Sequence, residues 1–511
     1  MTIGSNGLIS VPAPPPRRSR PWIRSGLAVL VAAALAVGGL FAYRAATDTS
    51  CGAGVSRQGT PAQCVGVTDG SYAFAPELVE IEGMIRKENR TVVASGNYVS
   101  VAYMLPMTLG PTDTGTIEAV REELEGAYAE QHSANTLPRL KGQNGIRLLL
   151  ANSGSRSEQW QGVTRQLVGM VDSERLVAVL GFGQSRATTK QAIQELANAH
   201  RIPAIGATVT ADDLTDATTA PDFFRISPRN SDEGQAAAHY LAQRTPRGKV
   251  LVVTDTDDGD SYNVSLYNGF VSAAKAEKLQ LSDATLNYRS GSAQTGFDFS
   301  NMLNSVCQAH ASAVYFAGRG KDLDTFVSAL ANRQCRTAQG VITVVSGDDT
   351  SSMRPDQEFR HALQTGGVTL LFTALTAPNE WEKEKGDDYS VERQAYAEFH
   401  KAVVTVFRDA TDSMFQDGHM IMAYDATFTA VKAIRFAEGH DGTDPVTTNT
   451  VGQQLVSLQS TNAVQGASGP IDLQRNRNPL NKPMALLSVT GKGDYSFNQV
   501  IWPAGRPWSA L

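Results

Sequence analysis

Leu176-Val-Ala-Val-Leu-Gly-Phe-Gly-Gln-Ser-Arg-Ala-Thr-Thr189, then a helical span, then Arg201-Ile-Pro-Ala-Ile-Gly-Ala-Thr-Val-Thr210 and Pro221-Asp-Phe-Phe-Arg-Ile-Ser-Pro228, is the stretch that decides the fold. Val177–Leu180 is a short apolar, β-branched run closed by glycine, the pattern of a strand buried in a parallel sheet. Thr188–His200 carries Ile193, Leu196 and Ala197 at helical spacing. Pro203–Ile205 is a second apolar run stopped by glycine. The unit is strand, turn, helix, strand. Both strands run into hydroxyl-bearing turns, at Ser185 and at Thr208 and Thr210. Ligands of open parallel sheets sit beyond the carboxyl ends of the strands. These hydroxyls are therefore expected to hold a small polar ligand.

The same alternation extends in both directions. Strands are expected at Tyr98–Leu105, Ile146–Ala151, Asp222–Ile226, Lys249–Thr254, Thr285–Tyr288, Ala313–Phe316, Gly340–Val345 and Val368–Phe372. Helices are expected at Thr114–Gln131, Ser157–Val171, Glu233–Arg244, Tyr262–Lys275, Phe297–Ala309 and Leu323–Asn332. Strand–helix repetition means parallel sheets covered by helices on both faces. The strands are too many for one comfortable doubly wound sheet, so two α/β lobes are expected. A length of 511 residues agrees with several globular units. A net charge of -6 leaves no electrostatic footprint for nucleic acid. The histidines show no H-x-x-x-H spacing and the cysteines no C-x-x-C, so no metal site is expected.

The N-terminus differs in character. Met1–Arg20 is rich in Pro, Ser and Arg, a composition that predicts disorder. Ser25–Tyr43 carries no charge and is long enough to cross a hydrocarbon core. Arg17, Arg18, Arg20 and Arg24 precede it, which places the N-terminus in the cytoplasm and the rest outside. The rival reading is a cleaved signal peptide, against which stands the absence of a clean small-x-small site. In an exterior compartment the four cysteines read as two disulfides. The sequential pairing, Cys51 with Cys64 and Cys307 with Cys335, is one of three pairings; four free thiols are the alternative. For the second pair, both flanking helices end at the amino edge of the sheet, where the sulfurs can meet. Closing that loop stabilises by about 3 kcal/mol in the chain-entropy model. Thr47–Ser95, with a helix at Pro76–Asn89, reads as a stalk or cap.

Five segments in order resemble a known family. They are Pro106-Met-Thr-Leu-Gly110, the opening stretch itself, Tyr262-x-x-x-x-x-x-x-Phe270, Ala423-Tyr-Asp-Ala426 within a helix Met420–Ala437, and Val464-Gln-Gly-Ala-Ser-Gly469 with Ile471-Asp472. From about residue 97 onward the chain resembles the type I periplasmic binding-protein fold, and within it the leucine/branched-chain amino-acid-binding receptors of ABC transporters. The resemblance implies two doubly wound parallel-sheet lobes joined by a three-crossing hinge, with the ligand held between them. The organisation expected is 1–24 a cytoplasmic tail, 25–43 a transmembrane anchor, and 44–96 an extracytoplasmic stalk or cap. Residues 97–228 with 377–455 form lobe 1. Residues 229–376 with the C-terminal part of 456–511 form lobe 2 and the hinge, the third crossing falling near Val464–Ile471.

The resemblance also implies site residues. Ser185 and Thr210, with Thr208 nearby, match the hydroxyls that take a ligand carboxylate in lobe 1. Hydroxyls and backbone N–H groups at a helix N-terminus suit an anion, although Ser185, Thr188 and Thr189 equally suit helix capping. In lobe 2, Tyr262 matches the aromatic, and Asp348 or Asp349 the acid that holds an ammonium. A solvated turn or helix N-cap is the plainer reading of either aspartate. Arg319 departs from the family pattern. It can hold a carboxylate bidentately or pair with Asp348, and it points to an acidic or larger ligand. Asp255, Asp257, Asp258 and Asp260 read as a solvated loop, because the spacing lacks the rest of a calcium loop.

Enzymatic readings fare poorly. Gly183-Gln-Ser-Arg-Ala187 puts a serine on a strand-to-helix turn, but the second glycine of a nucleophile elbow is missing and no histidine is placed as base. Position 186 is arginine, so the dinucleotide fingerprint is incomplete, and no phosphate-binding P-loop exists. No cofactor and no catalysis are expected. Three functions remain open. One is an ABC-transporter solute receptor tethered by its own helix and working with a permease. Another is a membrane-anchored sensor ectodomain that passes ligand state to a partner. The third is a degenerate lobe pair kept as an interaction module.

Overall fold

The apolar runs of the sequence form strands, and the chain lays them into two separate large sheets. The computed structural model describes residues 49–507, apart from 112, 139, 141, 216, 217, 219, 246, 247, 258, 354, 385–388, 440, 441 and 443. The anchor expected at Ser25–Tyr43 and the tail before it lie outside the described residues. Among the described residues no helix is long and apolar enough to cross a membrane.

The chain begins with β1 (Ser50–Gly52), β2 (Val55–Gln58), β3 (Gln63–Thr68), α1 (Val79–Ala94), β4 (Tyr98–Leu105), α2 (Ile117–Thr136), β5 (Gly145–Asn152), α3 (Trp160–Ser173), β6 (Leu176–Gly181), α4 (Ala187–Ile193), β7 (Ala204–Gly206) and β8 (Phe223–Arg225). It crosses into α5 (Asn230–Arg244), β9 (Lys249–Asp255), α6 (Ser261–Ala276), β10 (Gln280–Tyr288), α7 (Thr295–Ala309), β11 (Ala311–Ala317), α8 (Gly320–Leu330), α9 (Arg336–Gln339), β12 (Ile342–Ser346), α10 (Gln357–Thr365) and β13 (Val368–Ala374). It crosses back for α11 (Glu380–Lys383), α12 (Ser390–Val406), α13 (His419–Ala437), α14 (Thr448–Ser457) and the hairpin of β14 (Val464–Gly466) and β15 (Gly469–Ile471). Helices α12 and α13 pack on α2. A last crossing leads to β16 (Met484–Val489) and β17 (Tyr495–Ile501).

The first sheet has the order β1-β2-β3-β5-β4-β6-β7-β8 and the second β10-β9-β11-β12-β13-β16-β17. Alternation along each strand feeds two cores. Val101, Tyr103 and Leu105 point to one face of the first sheet and Ala102 and Met104 to the other. Leu251 and Val253 oppose Val250 and Val252 in the second. Every residue of β6 is buried, as a strand covered on both faces requires.

Three expectations are corrected. The sheets are parallel only inside, from β5 to β8 and from β10 to β13. Their added edges, β2–β3–β5 and β13–β16–β17, are antiparallel. The short β2–β3 and β16–β17 connections leave no room for a crossover, so only antiparallel pairing is open to them. Second, the described part of the expected stalk or cap, residues 49–96, is built into the first lobe. Through β3 it pairs with β5, and it buries Val55, Val65 and Val67. The Gln166 side chain accepts from Val67 N at 3.0 Å and donates to Gly54 O at 2.8 Å, tying the segment to α3. Third, the chain reaches the second sheet between Ile471 and Met484, downstream of the expected Val464–Ile471. The disulfides follow the sequential pairing, Cys51–Cys64 with Cα atoms 6.0 Å apart and Cys307–Cys335 at 5.5 Å.

Candidate functional site

Parallel strands end on the same side, and the carboxyl ends of the two sheets face each other across a cleft. Ser185, Thr208 and Thr210 line it from the first lobe, and Tyr262, Arg319 and Asp348 from the second. The cleft thus brings together all six residues singled out in the sequence. Its apolar part is built by Leu105, Pro106, Leu109, Ala119, Val120 and Leu375.

The first-lobe wall is made by the turns after β6 and β7. Gly181 and Gly183 adopt φ of +95° and +62°, and a Cβ at Gly181 would meet the Tyr103 ring at 2.5 Å. That turn delivers Ser185, whose hydroxyl oxygen accepts from Thr210 N at 3.0 Å and Ala211 N at 3.1 Å. Ser185 is therefore not the cap of α4; it fastens one strand-end turn to the other. Thr188 and Thr189 donate to the carbonyls of Arg156 and Gln184 and do not cap either. With two donors on its oxygen, Ser185 keeps its own O–H proton for the cleft. Among the described residues the Thr210 hydroxyl has no hydrogen-bond partner. Thr208 donates to Gly183 O at 3.2 Å and to Glu123 at 3.3 Å. Behind this wall the buried Arg225 donates to the carbonyls of Thr210 and Ala211. Burial lowers its pKa only to about 10, so it stays cationic.

The second-lobe wall is ionic. Arg319, at the start of α8, donates bidentately to Asp260 at 2.8 Å and 2.8 Å, and to Asp349 at 2.9 Å. It stacks on the Tyr262 ring at 4.2 Å. Burial works against the guanidinium, but Asp260 and Asp349 override it and hold the pKa well above its usual value. The expected pairing of Arg319 with Asp348 is replaced by Asp260 and Asp349. Asp260 itself is 2% exposed, which corrects the solvated-loop reading. It caps α6 by accepting from Tyr262 N, and Arg319 outweighs burial to lower its pKa. Asp255 is likewise buried, accepting from Asn263 and Ser290 N. Asp348 differs: burial first, then the neighbouring Asp349, raise it to about 6. The two walls touch where Arg186 approaches Asp260 at 3.7 Å and Arg319 donates to Ser185 O at 3.4 Å.

Several lining residues carried no sequence signal. Glu123 on α2 is buried, accepts from the Tyr103 hydroxyl at 2.9 Å, and is raised by burial. His419 opens α13 and pairs with Asp417 at 3.1 Å. Burial disfavours its charge, but Asp417 prevails and pushes its pKa up to about 10. Glu122, Asp417 and His419 bring one donor atom each within 4.8 Å of the others; the His419–Asp417 ion pair already uses two of the three. Asp260 had a signal, an acid two residues before the helix expected at Tyr262–Lys275.

Solved structures of the same architecture share little sequence with this chain. A leucine binding protein, LivK, from Thermotoga maritima is 19% identical; the match covers 80% of this chain and 99% of that one, with a TM-score of 0.56. The branched-chain amino acid transporter substrate binding protein LivJ from Streptococcus pneumoniae, in complex with isoleucine, is 15% identical over 80% and 100%, with a TM-score of 0.55. An ABC-transporter solute binding protein from Rhodopseudomonas palustris, in complex with 3,4-dihydroxybenzoic acid, is 14% identical over 81% and 99%, with a TM-score of 0.56. At such identities the likeness concerns the fold. No curated protein matches by sequence. The sequence model described as periplasmic binding protein matches residues 158–494.

Proposed function

The chain belongs to the periplasmic binding protein family, with the type I fold, and on that premise we propose that it captures a small polar solute, an amino acid or small carboxylate, outside the membrane for an ABC transporter. The observation that carries the reading is the asymmetry of free groups in the cleft. The first-lobe wall offers the Ser185 and Thr210 hydroxyls, donors suited to a carboxylate. The second-lobe wall offers the Asp348 carboxyl, an acceptor suited to an ammonium. Closure about three crossings would bury the solute and change the surface met by a permease. The uncharged Ser25–Tyr43 run supports a tether on the membrane with this lobe pair outside. In this reading Arg319 braces the wall and does not grip the solute.

Calorimetry of the full chain against the standard amino acids and a set of small carboxylates tests this. Saturable binding weakened by Asp348→Asn is expected; no response to any compound would favour the degenerate interaction module. A sensor ectodomain remains the second reading. It rests on the same anchor sequence and would be favoured by co-purification with a membrane signalling protein and not with a permease.

A further inference from the structure

Glu233 lies on the first turn of α5, directly after the first crossing, and is fully shut from solvent. No sequence pattern marked it. One carboxyl oxygen, Oε2, is well satisfied, accepting from Thr373 Oγ1 at 2.7 Å and from Asp348 N at 3.0 Å. The other, Oε1, meets no donor. The same is true of Asp348 Oδ1, on a side chain 9% exposed that lines the cleft. The bond from Asp348 N to Glu233 Oε2 holds the two acids in one buried site. Two unpartnered acceptor oxygens on neighbouring buried acids call for a donor, and a shared proton or a cationic group is the kind that also offsets their charge.

We propose that Glu233, standing behind Asp348, completes a two-carboxyl seat for the cationic amine of the solute, and that an incoming ammonium displaces the proton the pair holds before binding. The inference rests on the capture reading above and narrows it to amine-bearing solutes. The exchange balances. The O–H bond of the protonated carboxyl breaks, its electron pair stays on oxygen, and the proton passes to buffer while R–NH3+ donates to the pair. Site charge is the same before and after, which removes the cost of burying two carboxylates together.

The surroundings agree. Burial, then the Asp348 charge, drive Glu233 well above the carboxylate range. The other charged or titratable groups facing the pair are Asp349 beside Asp348, Tyr262 on α6, Tyr315 on β11 and Arg319 before α8. Arg319 is already matched by Asp260 and Asp349. Tyr262 and Tyr315 are both held above their ordinary values by burial and by these acids, so they stay neutral.

The test uses the full chain, with L-leucine and L-lysine as probes and 4-methylpentanoate as the amine-free analogue of leucine. Calorimetry near pH 6, in two buffers of different ionisation heat, counts protons released. Infrared difference spectra of wild type against Glu233→Gln report the buried carboxylic acid directly. The glutamine keeps an acceptor for Thr373 and Asp348 N, and its amide N–H replaces the proton permanently. Expected are a carboxylic-acid stretch absent from Glu233→Gln, its loss on saturation with an amine probe, and release of up to one proton per amine bound. Affinity for the amine should fall roughly tenfold in the variant, with the analogue unaffected. No carboxylic-acid stretch in the unliganded chain, or one that persists at amine saturation, overturns the proposal and leaves capture intact. Tighter binding of 4-methylpentanoate than of leucine also overturns it. Heat from no probe and from no other amino acid overturns capture itself, and this proposal with it.

Discussion

The two walls of the cleft solve the same problem differently. The first-lobe wall is mostly neutral: hydroxyls and backbone groups at two strand-end turns, knitted by Ser185 and braced by Arg225. The second-lobe wall is built of charges, and most of them are committed to one another, Arg319 to Asp260 and Asp349. Residues that look like ligand grips in a sequence therefore divide in space. On the first wall a structural bond leaves the Ser185 proton free. On the second an arginine is used up in holding the wall, and Asp348, backed by the buried Glu233, is the acid that faces the cleft without a cation of its own. A buried charge is costly unless paired, so a charged wall consumes its own members first.

The largest expected effect tests that commitment. Arg319→Met leaves Asp260 and Asp349 buried without their cation and should destabilise the chain by about 3–5 kcal/mol in denaturant unfolding. If stability is unchanged, the contrast between the walls collapses. Next comes Ser185→Ala, which strips the acceptor from two buried N–H groups. A loss of about 1–3 kcal/mol is expected, and solute carboxylate affinity should fall with it. Thr210→Val sharpens the contrast from the other side. Its hydroxyl has no partner among the described residues, so stability should stay within about 0.5 kcal/mol, while affinity for a carboxylate probe drops roughly tenfold. A stability loss as large as that of Ser185→Ala would assign Thr210 to structure.

A separate effect is in pH. The pKa of His419 is raised from 6.5 to about 10 in the folded chain. A raised pKa means more protons bound folded than unfolded, so the stabilisation is full below pH 6.5 and fades as pH rises toward about 10. Melting curves of wild type minus His419→Gln should decline across that window; a flat difference would remove the His419–Asp417 pair as an electrostatic element of the first wall.

Much of the scaffold was legible in the residues. Tyr98–Leu105 is β4 as read, and the Gly-stopped runs at Val177–Leu180 and Pro203–Ile205 contain the cores of β6 and β7. The large-sheet strands that escaped notice are the antiparallel additions, β1–β3 and β16–β17. β17 alternates partly buried and exposed residues before its buried end, and β1–β3 are short, with polar residues among their valines; neither resembles a buried parallel strand. In the cleft, the turn-borne hydroxyls were visible because strand ends are where such turns fall. Glu123, Glu233 and His419 were invisible because each lies in or at the start of a helix where an acid or histidine is ordinarily solvated.

What the sequence determined by itself is local: apolar runs of strand length, helical spacing, glycine stops, and an order of elements that leads to parallel sheets with a cleft at their carboxyl ends. Those follow from periodicity and from the chirality of strand–helix connections. What only the tertiary structure decided is which charge meets which. Arg319 finds Asp260 at a sequence distance of 59 residues, and Glu233 reaches Asp348 N at a distance of 115. Such partners depend on strand order and on the packing of one lobe wall. An aspartate carries the same letter whether it faces water, an arginine or another carboxyl, and only burial separates the three.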